Sequence, residues 1–239
     1  MATTHAGPTA SVIIVLFGAT GDLARRMVMP ALVELHARGL LPERWRLIGC
    51  ATDPWDDDRF RARLKDSLLD SGAGLPADWP EVARRVRYAG GGFTDADPGA
   101  LPAALTQARH ELSDDGADEP LVVHFLAVPP VVYPTITRGL GRHGLAAGVR
   151  VVYEKPYGTS LADFEALDAL VKETLTEDQV FRIDHFLGKQ AVQAIDALRF
   201  ANRMFGSQWD AEAIEQVQID VPEDLDVAQR GPVPGSWTR

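Results

Sequence analysis

The sequence predicts an α/β protein with a doubly wound parallel sheet, and three observations carry that prediction. Short apolar runs alternate with amphipathic stretches of helical period along most of the 239 residues. The first run is continuously apolar, as expected of a strand buried on both faces. Glycine-rich or charged turns follow several of them, at the strand ends where open parallel sheets bind ligands.

Residues 11–17 form the first strand-like run, SVIIVLF. Residues 22–38 then read as a helix with Leu23, Met27, Leu32 and Leu35 on one side and Gly39 as its stop. Pro30 lies inside that stretch and is expected to kink it, because proline lacks an N–H and crowds the preceding turn. Residues 45–50 are the second strand, 58–69 a helix, and 84–88 the third strand, ahead of Gly90-Gly91-Gly92. A weak helix over 99–112 and an acidic loop over 113–120 follow. The fourth strand, 121–128, is stopped by Pro129-Pro130, and 131–143 reads as a helix. Residues 149–153 are the fifth strand. Residues 161–175 are a helix with Leu161, Phe164, Leu167, Leu170 and Val171 as its apolar set, and 180–183 are the sixth strand.

The end of the chain differs. Residues 213–221 alternate as a strand would, Val217, Ile219 and Val221 against Gln216, Gln218 and Asp220. A lone strand has nothing to pair with. The division expected is a sheet domain over 11–184, the opening of a second domain over 185–230, and a Pro/Gly tail over 231–239.

Composition sets the function classes. Hydrophobic residues make up 46% and charged residues 24%, values of an ordinary soluble globular protein. Twenty-four basic against 34 acidic side chains leave a net charge of −10, which argues against an extended nucleic-acid footprint. An anionic small substrate then needs a locally basic pocket. The single cysteine, Cys50, ends the second strand and reads as inert packing in a reducing compartment. No apolar run approaches the length of a membrane span, and residues 1–10 lack the layout of a signal peptide, so the expectation is a cytoplasmic protein with no membrane partner. No metal-ligand spacing and no nucleophile motif is present. His36, His110 and His143 lie near helix ends and His124 inside a central strand, positions that the helix dipole and core hydrogen bonding explain.

Four motifs carry chemistry. Gly18-Ala19-Thr20-Gly21-Asp22-Leu23 links the first strand to a helix. Its glycines allow a tight turn and close approach to a pyrophosphate, which the helix N-terminus attracts. An ordinary turn is the competing reading, since the full G-x-G-x-x-G is not there. After the second strand come Thr52 and Asp53; an acid there accepts from a ribose 2′-hydroxyl and repels a 2′-phosphate, although Asp53-Pro54 is also a common turn opener. The fifth strand ends in Glu154-Lys155-Pro156-Tyr157-Gly158, with Lys155 at the ligand edge and its backbone restricted by Pro156. Arg182-Ile183-Asp184-His185-Phe186-Leu187-Gly188-Lys189 sets an acid, an imidazole and an ammonium at the end of the sixth strand.

Together GATGDLARR, EKPYG and RIDHFLGK, in this order and spacing, resemble the glucose-6-phosphate dehydrogenase family from about Val12 to about Gln229. The resemblance implies a Rossmann-like cofactor domain, the truncated start of an α+β second domain, and oxidation of glucose 6-phosphate to 6-phosphogluconolactone with hydride transfer to NADP or NAD. It places Gly18, Thr20, Gly21, Asp22 and Leu23 along the cofactor pyrophosphate and Thr52 and Asp53 at the adenosine ribose. It puts Pro156 at the junction of cofactor and substrate, Lys155 at the sugar hydroxyls, and His185 and Lys189 on the substrate phosphate. Asp184 would orient a catalytic histidine.

The sequence also departs from the family. Met27 and Thr52 stand where the family has a lysine and an arginine, and Phe186 where it has a tyrosine. The general base of the family is a histidine in a later motif, yet His5, His36, His110, His124, His143 and His185 are all the histidines here. The expectation is therefore that this polypeptide alone does not turn over, that NAD is favoured through Thr52 and Asp53, and that most of the family's oligomer surface is missing. Two other readings stand beside it: a sugar oxidoreductase of the inositol dehydrogenase type, and a non-catalytic remnant that binds nucleotide or sugar phosphate.

Overall fold

The structure is a computed structural model and describes residues 11–72, 74–113 and 119–220. Six strands form one sheet: β1 (Val12–Phe17), β2 (Trp45–Cys50), β3 (Val86–Ala89), β4 (Leu121–Leu126), β5 (Arg150–Glu154) and β6 (Val180–Ile183). Their order is β3-β2-β1-β4-β5-β6, with every neighbour parallel. The two halves diverge from the central pair β1 and β4, which is the topological switch point where such sheets bind dinucleotides.

Eight α-helices are found among the described residues: α1 (Met29–Ala37), α2 (Asp57–Asp70), α3 (Trp79–Arg84), α4 (Leu101–Leu112), α5 (Tyr133–Arg142), α6 (Leu161–Thr174), α7 (Gln190–Phe200) and α8 (Arg203–Gly206). Two apolar clusters cover the two faces of the sheet. Ile13, Val15 and Phe17 of β1 join α4, α5 and α6 on one face. Val12 and Leu16 join α1, α2 and α3 on the other. Alternate side chains of a strand point to opposite faces, so a strand with a core on each side must be apolar at every position. That is why the run SVIIVLF does not alternate.

Local signals set the helix ends. Asp56 caps α2 by accepting from the Arg59 N–H at 2.8 Å, with Asp57 and Asp58 complementing the dipole in the first turn. Pro30 sits in the first turn of α1, preceded by a π-helical turn over Ala24–Val28 in which the Met29 N–H donates to the Ala24 carbonyl. The expected kink is thus a change of helix type, which places the proline where its missing N–H goes unneeded. Behind β3, Glu111 of α4 bridges Arg46 and Arg87 at 2.9 Å each, and Asp57 of α2 meets Arg87 at 3.0 Å.

Two expectations need correction. Residues 84–85, read as the start of the third strand, close α3 and its C-terminal turn, so β3 begins at Val86. A six-residue helix with Pro80 in its first turn is too short to show a helical period. Residues 213–220, read as a strand, contain none. Alternation there meets no neighbouring strand to receive its backbone hydrogen bonds. Val221, the loop core 114–118, the end of the second-domain span at 221–230, the tail 231–239 and the amino terminus 1–10 lie outside the described residues.

The chain divides into two compact units, Met1–Asp184 and His185–Arg239. The first holds the sheet. The second opens with a 3₁₀ turn, His185–Gly188, followed by α7 and by α8, whose Asn202 cap accepts from the Met204 N–H at 3.1 Å.

Candidate functional site

The sheet's C-terminal edge is built in two halves. In the first, Gly18 turns the chain away from β1 with φ of 72°, in the left-handed region. A Cβ there would lie 2.3 Å from the Ala127 carbonyl oxygen, so only glycine fits. The Gly18 N–H donates to Cys50 at 2.8 Å and the Gly21 N–H to the Gly18 carbonyl at 2.9 Å, closing the turn. The helix then starts at Asp22 and Leu23, and the first N–H groups of any helix lack intrahelical acceptors. Backbone donors on a glycine turn without side-chain bulk fit a pyrophosphate. Asp22 and Leu23 belong to this set by their backbones alone. The Asp22 carboxylate pairs with Arg26 at 3.0 Å, and Leu23 packs against the core. Met27 is exposed on the π-helical turn.

Register brings a second segment alongside. Phe17 pairs with Cys50, so the residues after β1 lie beside those after β2. The Thr20 hydroxyl donates to the Asp53 carboxylate at 2.7 Å. The Asp53 carbonyl in turn accepts from the Tyr88 hydroxyl at 3.0 Å and from the Trp55 N–H at 2.9 Å. Burial pushes the Tyr88 phenol up to about 12, helped by the charge of Asp53, which keeps it a neutral donor. Thr52 is exposed, backed by Gly92. Sequence reasoning gave Tyr88 no role; its position on β3 beyond β2 was the available signal.

The other half is made of charged side chains. β5 and β6 pair with Glu154 opposite Ile183, which sets the next residues, Lys155 and Asp184, side by side. Lys155 Nζ lies 3.3 Å from Asp184 Oδ1, with the two side chains 40% and 39% exposed. The Lys155–Pro156 peptide is cis. Beneath it, Tyr153, Tyr157 and Phe164 stack edge to face. Arg182, the first residue of the octapeptide, is taken up by Glu177 at 2.7 Å, Asp168 at 3.2 Å and the Tyr157 ring at 4.9 Å. It is scaffold.

His185 and Lys189 belong to the second unit, where they bracket the 3₁₀ turn. Lys189 is the N-terminal cap residue of α7, and its ammonium sits 4.0 Å from the Phe186 ring centroid. The Phe186 ring therefore holds the lysine through a cation–π contact. Among the described residues no group of three or more acidic, histidine or cysteine side chains is placed to hold a metal ion, and no helix is long and apolar enough to cross a membrane.

The comparisons with known proteins agree on one family. Residues 15–194 match the family described as glucose-6-phosphate dehydrogenase, NAD binding domain. The glucose-6-phosphate 1-dehydrogenase 2 of Mycobacterium tuberculosis is 37% identical over 233 residues, covering 94% of this chain and 44% of that relative. The glucose-6-phosphate 1-dehydrogenase of Streptococcus pneumoniae is 35% identical over 93% of this chain and 45% of its own length. A solved structure of glucose-6-phosphate dehydrogenase in complex with its substrate glucose-6-phosphate is 30% identical, with a TM-score of 0.75 over 89% of this chain and 43% of that one. The chain spans less than half the length of these relatives.

Proposed function

The chain belongs to the glucose-6-phosphate dehydrogenase family, and from that premise we propose that it is the nicotinamide-dinucleotide-binding part of an enzyme oxidising glucose 6-phosphate to 6-phosphogluconolactone. The observation that carries this reading is the pairing of the glycine turn after β1 with Lys155 and Asp184 after β5 and β6, all on one edge of one sheet. In it, residues 11–184 are the cofactor domain and 185–230 the start of a substrate domain. The bound dinucleotide supplies the hydride acceptor.

Each residue then has a task. Gly18 and Gly21 shape the turn with their own N–H groups spent inside it, and the backbone N–H groups of Thr20, Asp22 and Leu23 hold the pyrophosphate. Asp53 accepts from the adenosine ribose, with Thr52 beside it, and this pair favours NAD over NADP. Lys155 leaves Asp184 to donate to the sugar hydroxyls near the reacting carbon, while Pro156 shapes the junction. His185 and Lys189 together counter the substrate's phosphate dianion. Asp184, released from Lys155, is the acid that orients a histidine base, and no histidine follows His185 in these 239 residues. The lone buried Cys50 suits a reducing, cytoplasmic setting.

The 239-residue chain is accordingly expected to bind the dinucleotide and to leave it unreduced in the presence of glucose 6-phosphate. Calorimetric titration with NAD and NADP tests the first half, and absorbance of the reduced nicotinamide the second. Failure to bind either dinucleotide would sink the reading; turnover would show that a base inside this chain replaces the missing histidine.

A further inference from the structure

We infer that Thr20 is a specificity residue of the cofactor site: by holding the Asp53 carboxylate it enforces a ribose bearing a free 2′-hydroxyl and excludes one bearing a 2′-phosphate. The inference rests on the dinucleotide reading above and assigns the selection to a residue of the pyrophosphate turn.

The argument starts from the proton count. A threonine hydroxyl has one proton to donate. At 2.7 Å that proton is committed to Asp53 Oδ2, so the Thr20 side chain has none to offer a phosphate oxygen. Anion binding at the turn is left to the backbone. Asp53 Oδ1 is the carboxylate atom remaining for a ribose hydroxyl.

Asp53 is also fixed from behind. Its carbonyl takes hydrogen bonds from Tyr88 and from the Trp55 N–H, at 3.0 and 2.9 Å. Tyr88 packs on Phe60 and Trp55, with ring centroids at 5.1 and 6.1 Å, so the anchor is part of the core. An acid on a free side chain could rotate away from an incoming phosphate. One tethered at both carboxylate and carbonyl cannot, and like charges held close are the repulsive element that specificity needs. The arginines around the turn do not offset it. Arg25 pairs with Asp70 at 2.9 Å, Arg26 with Asp22 at 3.0 Å, and Arg61 with Asp57 and Asp58 at 3.2 and 2.9 Å. Arg59 sits over the Trp55 ring at 4.8 Å.

The test is a set of dissociation constants for NAD and NADP on the whole chain and four variants: Thr20→Val, Thr20→Ser, Asp53→Ala and the Thr20→Val/Asp53→Ala double. Circular dichroism checks each fold. The wild type is expected to bind NAD more tightly. Thr20→Val should shrink the NADP-to-NAD ratio of dissociation constants by about 3- to 10-fold, the net scale of one ordinary hydrogen bond. Thr20→Ser keeps the hydroxyl and should preserve the ratio. Asp53→Ala should collapse it, and adding Thr20→Val should then change it no further, since Thr20 acts through Asp53. A ratio unmoved by Thr20→Val but collapsed by Asp53→Ala overturns the inference and leaves the dinucleotide reading intact. Tighter NADP binding by the wild type overturns it too. No binding of either dinucleotide overturns that reading and this inference together.

Discussion

The two halves of the sheet edge reach the same end by different means. After β1 and β2 the site is made of backbone: a left-handed glycine against the Ala127 carbonyl, a closed turn, and an acid tethered from two sides. After β5 and β6 it is made of long charged side chains, Lys155 and Asp184, each well over a third exposed and meeting at 3.3 Å. A part that binds every cofactor molecule alike gains from being fixed before the ligand arrives. A part that must let go of one partner to grip another gains from a weak contact. On the proposed reading, the fixed half is the one whose ligand stays the same.

Substitutions can break or sharpen that contrast. The largest effect is expected at Gly18. Gly18→Val places a branched side chain at positive φ against Ala127 and Val128, just past β4, and should cost about 2 kcal/mol or more of stability while removing measurable dinucleotide binding. Unchanged binding by a folded Gly18→Val protein would show that the turn is not pre-formed for the ligand.

Next comes β4, which joins the halves. His124 is fully buried there, and burial holds its imidazole near 4, against an ordinary 6.5, although a bond to the Leu145 carbonyl opposes the shift. The unfolded chain takes up this proton below about pH 6.5 and the folded chain only near pH 4. Stability should therefore fall as pH drops through that window, by about 3 kcal/mol in total. Urea denaturation of wild type and His124→Gln at neutral pH and at pH 5 reads it. Equal pH slopes for the two proteins would rule out His124 as the source.

The smallest effect is expected on the charged half. Lys155→Met removes a half-exposed ion pair, worth about 1 kcal/mol at most. Stability and dinucleotide affinity should both stay close to wild type. A strong drop in dinucleotide affinity would erase the contrast between the two halves.

Much of this fold is legible in the sequence because burial on both sides leaves a plain mark. Ile13, Val15 and Phe17 face one cluster and Val12 and Leu16 the other, so β1 stands out as an apolar run, whereas the edge strands β3 and β6 carry Arg87 and Arg182 and are less plain. α3 does not, since Trp79–Arg84 is too short for a period. Pro30 announces a disturbance without saying that it takes the form of a π-helical turn. At the site, Lys155 and Asp184 are each visible as charges at strand ends, but their meeting needs the β5–β6 register. Thr20 and Asp53 lie in motifs 33 residues apart and become partners only through the pairing of β1 with β2. The alternation over 213–220 misleads because a pattern of faces says nothing about whether a neighbour exists.

Cys50 closes β2, three residues before Asp53, with its thiol pushed up to about 12 by burial. A protonated, enclosed sulfur reacts with electrophiles only when the strand end opens. The protein therefore carries a built-in clock for that edge. The rate at which an alkylating reagent marks this one thiol counts how often β2 parts from its surroundings, and a dinucleotide seated on Asp53 would slow it.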